Sequence, residues 1–152
     1  MKWIRTKVIP LKTNKQGIEL IKRFEAFKSK VYACPAGRQT IGYGHTGPDV
    51  TLESRVTKEE AEALLLKDIE AIEAILNLLI KTELNTNQFS ACVSLTYNIG
   101  IKAFQRSTLL KKLNQGELQS ASDEFLKWDQ SNGKRLRGLT LRRMAERSLF
   151  LS

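Results

Sequence analysis

This 152-residue chain is short of metal ligands: His45 is its only histidine, and Cys34 and Cys92 are its only cysteines. No CxxC pair and no histidine cluster exists, which argues against a zinc site. No metal and no cofactor is therefore expected. Cys92 lies in an apolar helical stretch, where a thiol serves as a small core residue, so no bridge between the two cysteines is expected. Repeats, low-complexity tracts and linkers are lacking too. The N-terminus, Met1 to Pro10, has no apolar run long enough for a signal sequence or a membrane anchor. Acidic residues are fewer than basic ones, 16 against 25, for a net charge of +9. Such a surface favours anionic partners: nucleic acid, acidic lipid or an acidic polymer. Plain solvation is the alternative. No helix-turn-helix, finger or RNA-binding signature is evident, which argues against nucleic acid.

What is present suits one soluble domain with a proper core: 41% hydrophobic and 27% charged residues. Asn14 is a good N-cap, and a first helix is expected from 15 to 27. Residues 31 to 49 carry Pro35, Pro48 and glycines 37, 42, 44 and 47, a density that breaks helices and supports a small hairpin sheet. Thr57 with Glu60 is a capping box, and a long helix should follow to about residue 81. Its apolar side is Ala61, Leu64, Leu65, Ile69, Ile72, Ile75, Leu76 and Leu79. Thr86 should cap a helix from 87 to 97, apolar on most sides and so a core element. Asn98-Ile99-Gly100 should end it. Ser107 should cap a short helix to 114. Gly116 breaks the chain, and a helix from 117 to about 129 follows. Ser131-Asn132-Gly133 reads as a turn, and a last helix runs from 139 to 149. The fold class is α+β, mostly helical. A small N-terminal hairpin lobe (about 15–58) is joined by a long helix (58–81) to a helical C-terminal lobe (82–152), with a cleft between them. Clefts of this kind hold long polymers.

The chain is organised around residues 23 to 47. Glu25 sits near the end of the first helix among Phe24, Ala26 and Phe27. Burial beside aromatics disfavours a charged carboxylate, which suits a general acid near neutral pH. Cys34 follows after eight residues and Thr40 after five more. Thr40 opens a segment in which glycines alternate with Ile, Tyr and His, a tight hairpin pattern. This layout brings an acid, a thiol and a hydroxyl towards one point.

Glu25, Cys34, Thr40 and Ile41-Gly42-Tyr43-Gly44-His45 together resemble the phage-type lysozymes of glycoside hydrolase family 24. Further matches lie at Thr57 to Asp68, Asn98-Ile99-Gly100, Phe104 with Ser107 to Leu110, and Trp128 with Gly133, Gly138-Leu139, Arg142-Arg143 and Glu146. The resemblance runs from about Gly17 to about Leu149. It implies a lysozyme-like fold and a muramidase. Such an enzyme cuts the β-1,4 bond between N-acetylmuramic acid and N-acetylglucosamine in peptidoglycan, for host lysis. Glu25 would be the acid, with a water held by Thr40 and Cys34. Cys34 takes the family's Asp-or-Cys position. A thiolate there could polarise the water or stabilise the positive transition state; alternatively Cys34 only fills space. The family implies inversion. His45 matches the histidine that pairs with an acid on the long helix, here Asp68, as a structural pair. Arg135 matches a position close to the acid. Thr46, Tyr97, Asn98, Ser107 and Arg135 are candidates to bind the glycan. Trp128 either joins them or fills the core. The other cations near the C-terminus, Lys134, Arg137, Arg142, Arg143 and Arg147, read as a solvated face.

With no signal or anchor, the expected route to the substrate is from the host cytoplasm through a holin lesion. A monomer is expected, attracted to an anionic envelope of lipopolysaccharide or acidic lipid. Two other readings stay open. One is a non-catalytic binder of an anionic polymer. The other is an enzyme whose last helix also acts on membranes, through Leu139, Leu141, Leu149 and Phe150 with Arg142, Arg143 and Arg147.

Overall fold

A computed structural model describes residues 9–33 and 37–152. Cys34, and with it one of the proposed site residues, lies outside the described residues.

The first helix, α1 (Lys15–Glu25), starts where Asn14 accepts a hydrogen bond from the Gly17 amide at 3.0 Å. It stops two residues before the expected end, because Ala26 turns to φ 58°, ψ 152°. A three-stranded antiparallel sheet follows: β1 (Lys28–Ala33), β2 (Gln39–Gly42) and β3 (His45–Thr46), in that order. Ile41 pairs with His45 around a turn of Gly42, Tyr43 and Gly44, and Thr40 pairs with both Tyr32 and Thr46. Gly42 and Gly44 have φ of 68° and 83°, which the reversal needs and L side chains resist.

The long helix α2 (Lys58–Leu79) begins on the expected capping box. Thr57 Oγ1 accepts from the Glu60 amide at 3.1 Å, and Glu60 Oε1 accepts from the Thr57 amide at 3.0 Å. Its buried positions are Ala61, Leu65, Ile69 and Leu76, at helical spacing. The next helix, α3 (Thr86–Ile99), is capped by Asn85, not Thr86; Asn85 and Gln88 form a second capping box. It is fully buried from Phe89 to Thr96 and forms the centre of the helical body. Three short helices follow, α4 (Ile101–Gln105), α5 (Thr108–Asn114) and α6 (Leu118–Glu124), the last continued by a 3-10 turn (Phe125–Lys127). The expected helix from 117 to 129 is thus half that length. Trp128 and Asp129 leave the helical path to meet the final helix: the Trp128 carbonyl accepts from Arg143 Nε at 2.8 Å, and Asp129 Oδ2 accepts from Thr140 Oγ1 at 2.9 Å. The Asn132-Gly133 turn, with φ of 52° and 76°, closes a second hairpin of β4 (Gln130–Ser131) and β5 (Lys134–Arg135). The last helix is α7 (Arg137–Leu151).

The sheet packs on α2, whereas α1 packs on α3 and α7. The expected grouping put α1 with the hairpin; its packing puts it with the helical body. Gly17 allows this approach, since a Cβ there would lie 2.7 Å from Ser90 Cβ. One core cluster runs through Ile21, Leu65, Ile69, Leu76, Phe89, Leu95, Phe104, Phe125 and Phe150. Burying side chains of this size contributes roughly 1.5–3 kcal/mol each. Among the described residues, no helix is long and apolar enough to cross a membrane.

Candidate active site

Because α1 belongs to the helices and the sheet follows it at once, Glu25 sits where the two parts meet. Its side chain is only 18% exposed. Gly44 of the hairpin turn presses against the carboxylate: a Cβ there would lie 3.1 Å from Cδ and 3.2 Å from both oxygens. From the helical body, Arg142 Nη1 donates to Glu25 Oε2 at 3.2 Å. This corrects the expectation for Arg135. Arg135 is 72% exposed and pairs with Asp129 at 3.1 Å.

Arg142 and Arg143 are not a solvated face. They are 3% and 0% exposed, and so is Glu146 at 0%. Arg142 gives Nε to Glu146 Oε2 at 3.2 Å and Nη2 to the Ser94 carbonyl at 3.0 Å. Ser94 Oγ donates to the same Glu146 oxygen at 2.5 Å. Arg143 donates to the other Glu146 oxygen and to Asn98 Oδ1. Two arginines and two glutamates thus close into one set, in which the buried Arg142, Arg143 and Glu146 are paired and hydrogen-bonded as buried charges must be. Phe150 is buried as well. The membrane-active reading of α7 therefore loses two of its cations and one of its apolar residues.

Thr40 is 2% exposed, and its hydroxyl donates to the Arg38 carbonyl at 3.1 Å. Thr46, its partner across the ladder, is exposed and lines a shallow pocket with Arg38, Gln39, Gly47 and Val50. Tyr97 donates its hydroxyl to the Tyr43 carbonyl at 2.6 Å, tying α3 to the hairpin turn. Burial pushes the Tyr97 phenol up, and the charges of Asp68 and Glu25 add to it. Asn98 is exposed, with its side-chain carbonyl oriented by Arg143. Ser107 is a helix cap: Oγ accepts from the Leu110 amide at 3.1 Å and donates to the Phe104 carbonyl at 2.6 Å. Those two bonds commit the hydroxyl to the backbone, so Ser107 is not free to line a groove. Trp128 is partly buried and packs on the core.

His45 Nδ1 lies 2.7 Å from Asp68 Oδ2. Its other nitrogen faces Asp49 at 3.1 and 3.2 Å, a second partner that the sequence reading missed. Asp49 stands four residues after His45, a spacing that could have signalled it. Burial opposes a charge on the imidazole. The hydrogen bond and charge of Asp68, with those of Asp49, outweigh burial and raise the pKa above the usual 6.5. Cys92 is a free thiol with no exposed surface, and burial pushes its pKa up.

The residues missed from sequence are Arg142, Glu146 and Ser94 as partners of one another. The i, i+4 and i, i+3 spacings of Glu146 from Arg142 and Arg143 are the signal that could have found them.

Comparison with known proteins agrees with this geometry. The phage lysozyme family model matches residues 22–146. The endolysin of Acyrthosiphon pisum secondary endosymbiont phage 1 is 50% identical over 143 residues, covering 91% of this chain and 97% of that protein. The endolysin of Bacillus phage B103 is 46% identical over 138 residues; the match covers 90% of this chain but 52% of that protein. Among solved structures, the muramidase domain of SpmX from Asticaccaulis excentricus superposes with a TM-score of 0.86 at 41% identity, covering 93% of this chain and 99% of that one. With a matched span that includes Glu25, the hairpin and the buried arginines of α7, the chain belongs to the phage lysozyme family.

Proposed function

We infer that this protein is an endolysin, a muramidase that hydrolyses the β-1,4 bond between N-acetylmuramic acid and N-acetylglucosamine in peptidoglycan and so lyses the host of a phage. The observation that carries this is Glu25: a carboxylate held between Arg142 Nη1 and the backbone of Gly44, at the junction of hairpin and helices, in a chain of this family. Glu25 in its acid form protonates the glycosidic oxygen as the C–O bond breaks, and an oxocarbenium-like sugar results. A water held by Thr40 and Cys34 then adds to the anomeric carbon and gives its proton to the solvent or to Cys34. Glycoside cleavage commonly uses a second carboxylate; here that position belongs to Cys34, and inversion is the expected outcome. Thr46, exposed on the hairpin, with Tyr97 and Asn98 at the end of α3, would contact the glycan. The protein works as a monomer and without a metal or cofactor. It starts in the host cytoplasm and reaches the wall through a holin lesion, and its positive surface draws it to the anionic envelope.

The test is digestion of purified peptidoglycan by the wild type and by Glu25→Gln, with identification of the new ends. The wild type should yield reducing N-acetylmuramic acid. The variant should be folded and slower by about 10²–10⁴-fold. Substantial cleavage by folded Glu25→Gln would remove Glu25 as the acid.

A further inference from the structure

A helix that buries two arginines and a glutamate on one face needs a reason, since desolvating such charges costs several kcal/mol per ion before pairing. The three groups are not paired at random. Every nitrogen of the Arg142 guanidinium has a partner: Nε takes Glu146, Nη2 takes the Ser94 carbonyl and Nη1 takes Glu25. The first two partners lie inside the helical body and fix the guanidinium plane. The third is at the junction with the hairpin. We propose that Glu146 is a positioning residue for the Glu25 chemistry: its carboxylate, locked by Ser94 Oγ and both arginines, sets the orientation of Arg142 and balances its charge, so that one N–H is presented to Glu25. This rests on the reading of Glu25 as the general acid.

The charge argument follows from a count. Arg142 and Arg143 bring two positive charges to this cluster; Glu146, and Glu25 when ionised, bring the negative ones. Among the described residues, the charged and titratable groups that act on it are these four with Tyr97 and Cys92 from α3; Asp68 from α2 and Tyr32 from β1 act on Tyr97 in turn. Without the Glu146 charge, Glu25 would face two guanidinium groups alone. The cluster around it would then hold an unbalanced positive charge. Glu146 also reaches the far side of the site through Arg143, which holds the Asn98 side chain and the Trp128 carbonyl.

The experiment measures kcat and KM on soluble, uncross-linked glycan strands across pH, for the wild type, Glu146→Gln, Glu146→Asp and Glu25→Gln. Glu146→Gln keeps the shape and removes the charge. Its kcat should fall about tenfold with KM changed less than about twofold, as for a group that acts on the transition state. The alkaline limb of kcat/KM should move to lower pH. Glu146→Asp keeps the charge and loses reach; it should leave that limb in place while lowering kcat. A purely structural role predicts a lower melting temperature, with wild-type kcat and an unmoved limb in the folded protein. That result would overturn the proposal. Should Glu146→Gln fail to fold, Ser94→Ala carries the test, because it removes one donor from the same carboxylate. Its kcat should drop about threefold with KM unchanged, and wild-type kcat there would overturn the proposal. The Glu25→Gln control separates the two ideas. If it is active, the general acid reading fails. If it is inactive while folded Glu146→Gln behaves as wild type, only the role of Glu146 fails.

Discussion

Ala26 is the residue that stops α1 one position after Glu25, and it does so at φ 58°, ψ 152°, a region that suits glycine. Its Cβ makes that conformation costly, by roughly 1–3 kcal/mol. Ala26→Gly removes the strain but adds freedom to the unfolded chain, worth about 0.4–1 kcal/mol in the opposite sense. The net should be a gain of about 1 kcal/mol in urea unfolding, at unchanged slope. A lower midpoint would show that the strain is not there. His45 makes a prediction of the opposite kind, in pH. Its folded pKa lies above the unfolded 6.5, so the folded state holds more protons between the two values. Its contribution is complete below the unfolded pKa and is lost as pH rises through the folded one. The melting temperature should therefore fall across that window in the wild type, and the fall should flatten in Asp68→Asn. Equal slopes in the two proteins would count against the pairing as a source of stability.

At the scale of elements, most of the helices were legible because their ends are written in side chains. Asn14, Thr57 and Ser107 cap the helices they were expected to cap. At α3 two cap residues stand side by side, and only the third residue after each decides. Asn85 has Gln88 there and can form a reciprocal box, whereas Thr86 has Phe89. Asn85→Ala should accordingly destabilise the protein by about 1 kcal/mol. Thr86→Ala should be close to neutral, because its hydroxyl has only a long bond from Asn14 at 3.5 Å. Chemical denaturation of both variants reads the difference directly. Equal losses would return the cap to Thr86. The end of α6 was not legible. Nothing in residues 124 to 129 forbids a helix; what ends it is the demand of Arg143 and Thr140 for the Trp128 carbonyl and the Asp129 side chain. That demand is tertiary. The α7 arginines were misread for the same reason, since a buried guanidinium and a solvated one look alike until the partner carboxylate is placed. In the site itself, the hairpin glycines were readable from spacing, and the guanidinium that meets the Glu25 carboxylate is that of Arg142, where the resemblance pointed to Arg135.

For the whole molecule, the buried charged residues among those described, Arg142 and Arg143 against Glu124, Asp129 and Glu146, carry no positive excess. The net charge of +9 therefore lies on the surface. Cys92 gives a probe of global opening. It lies with no exposed surface in the middle of α3, on which α1, α2 and α7 all pack. A thiol reagent should modify Cys92 only as fast as the core opens, and along the same urea transition that circular dichroism reports. Rapid modification of Cys92 in native buffer would mean that α3 opens locally.

The contact between Glu25 and Arg142 joins residues 117 positions apart. On the ribosome, Glu25 is made well before Arg142. At about 5–20 residues per second, roughly 6–23 s separate the two. During that interval a nascent chain carries Glu25 without Arg142, and it lacks one of the two helices on which α1 packs. A message cut short before α7 would therefore yield a chain in which Glu25 has no Arg142 partner and α1 has one packing helix fewer.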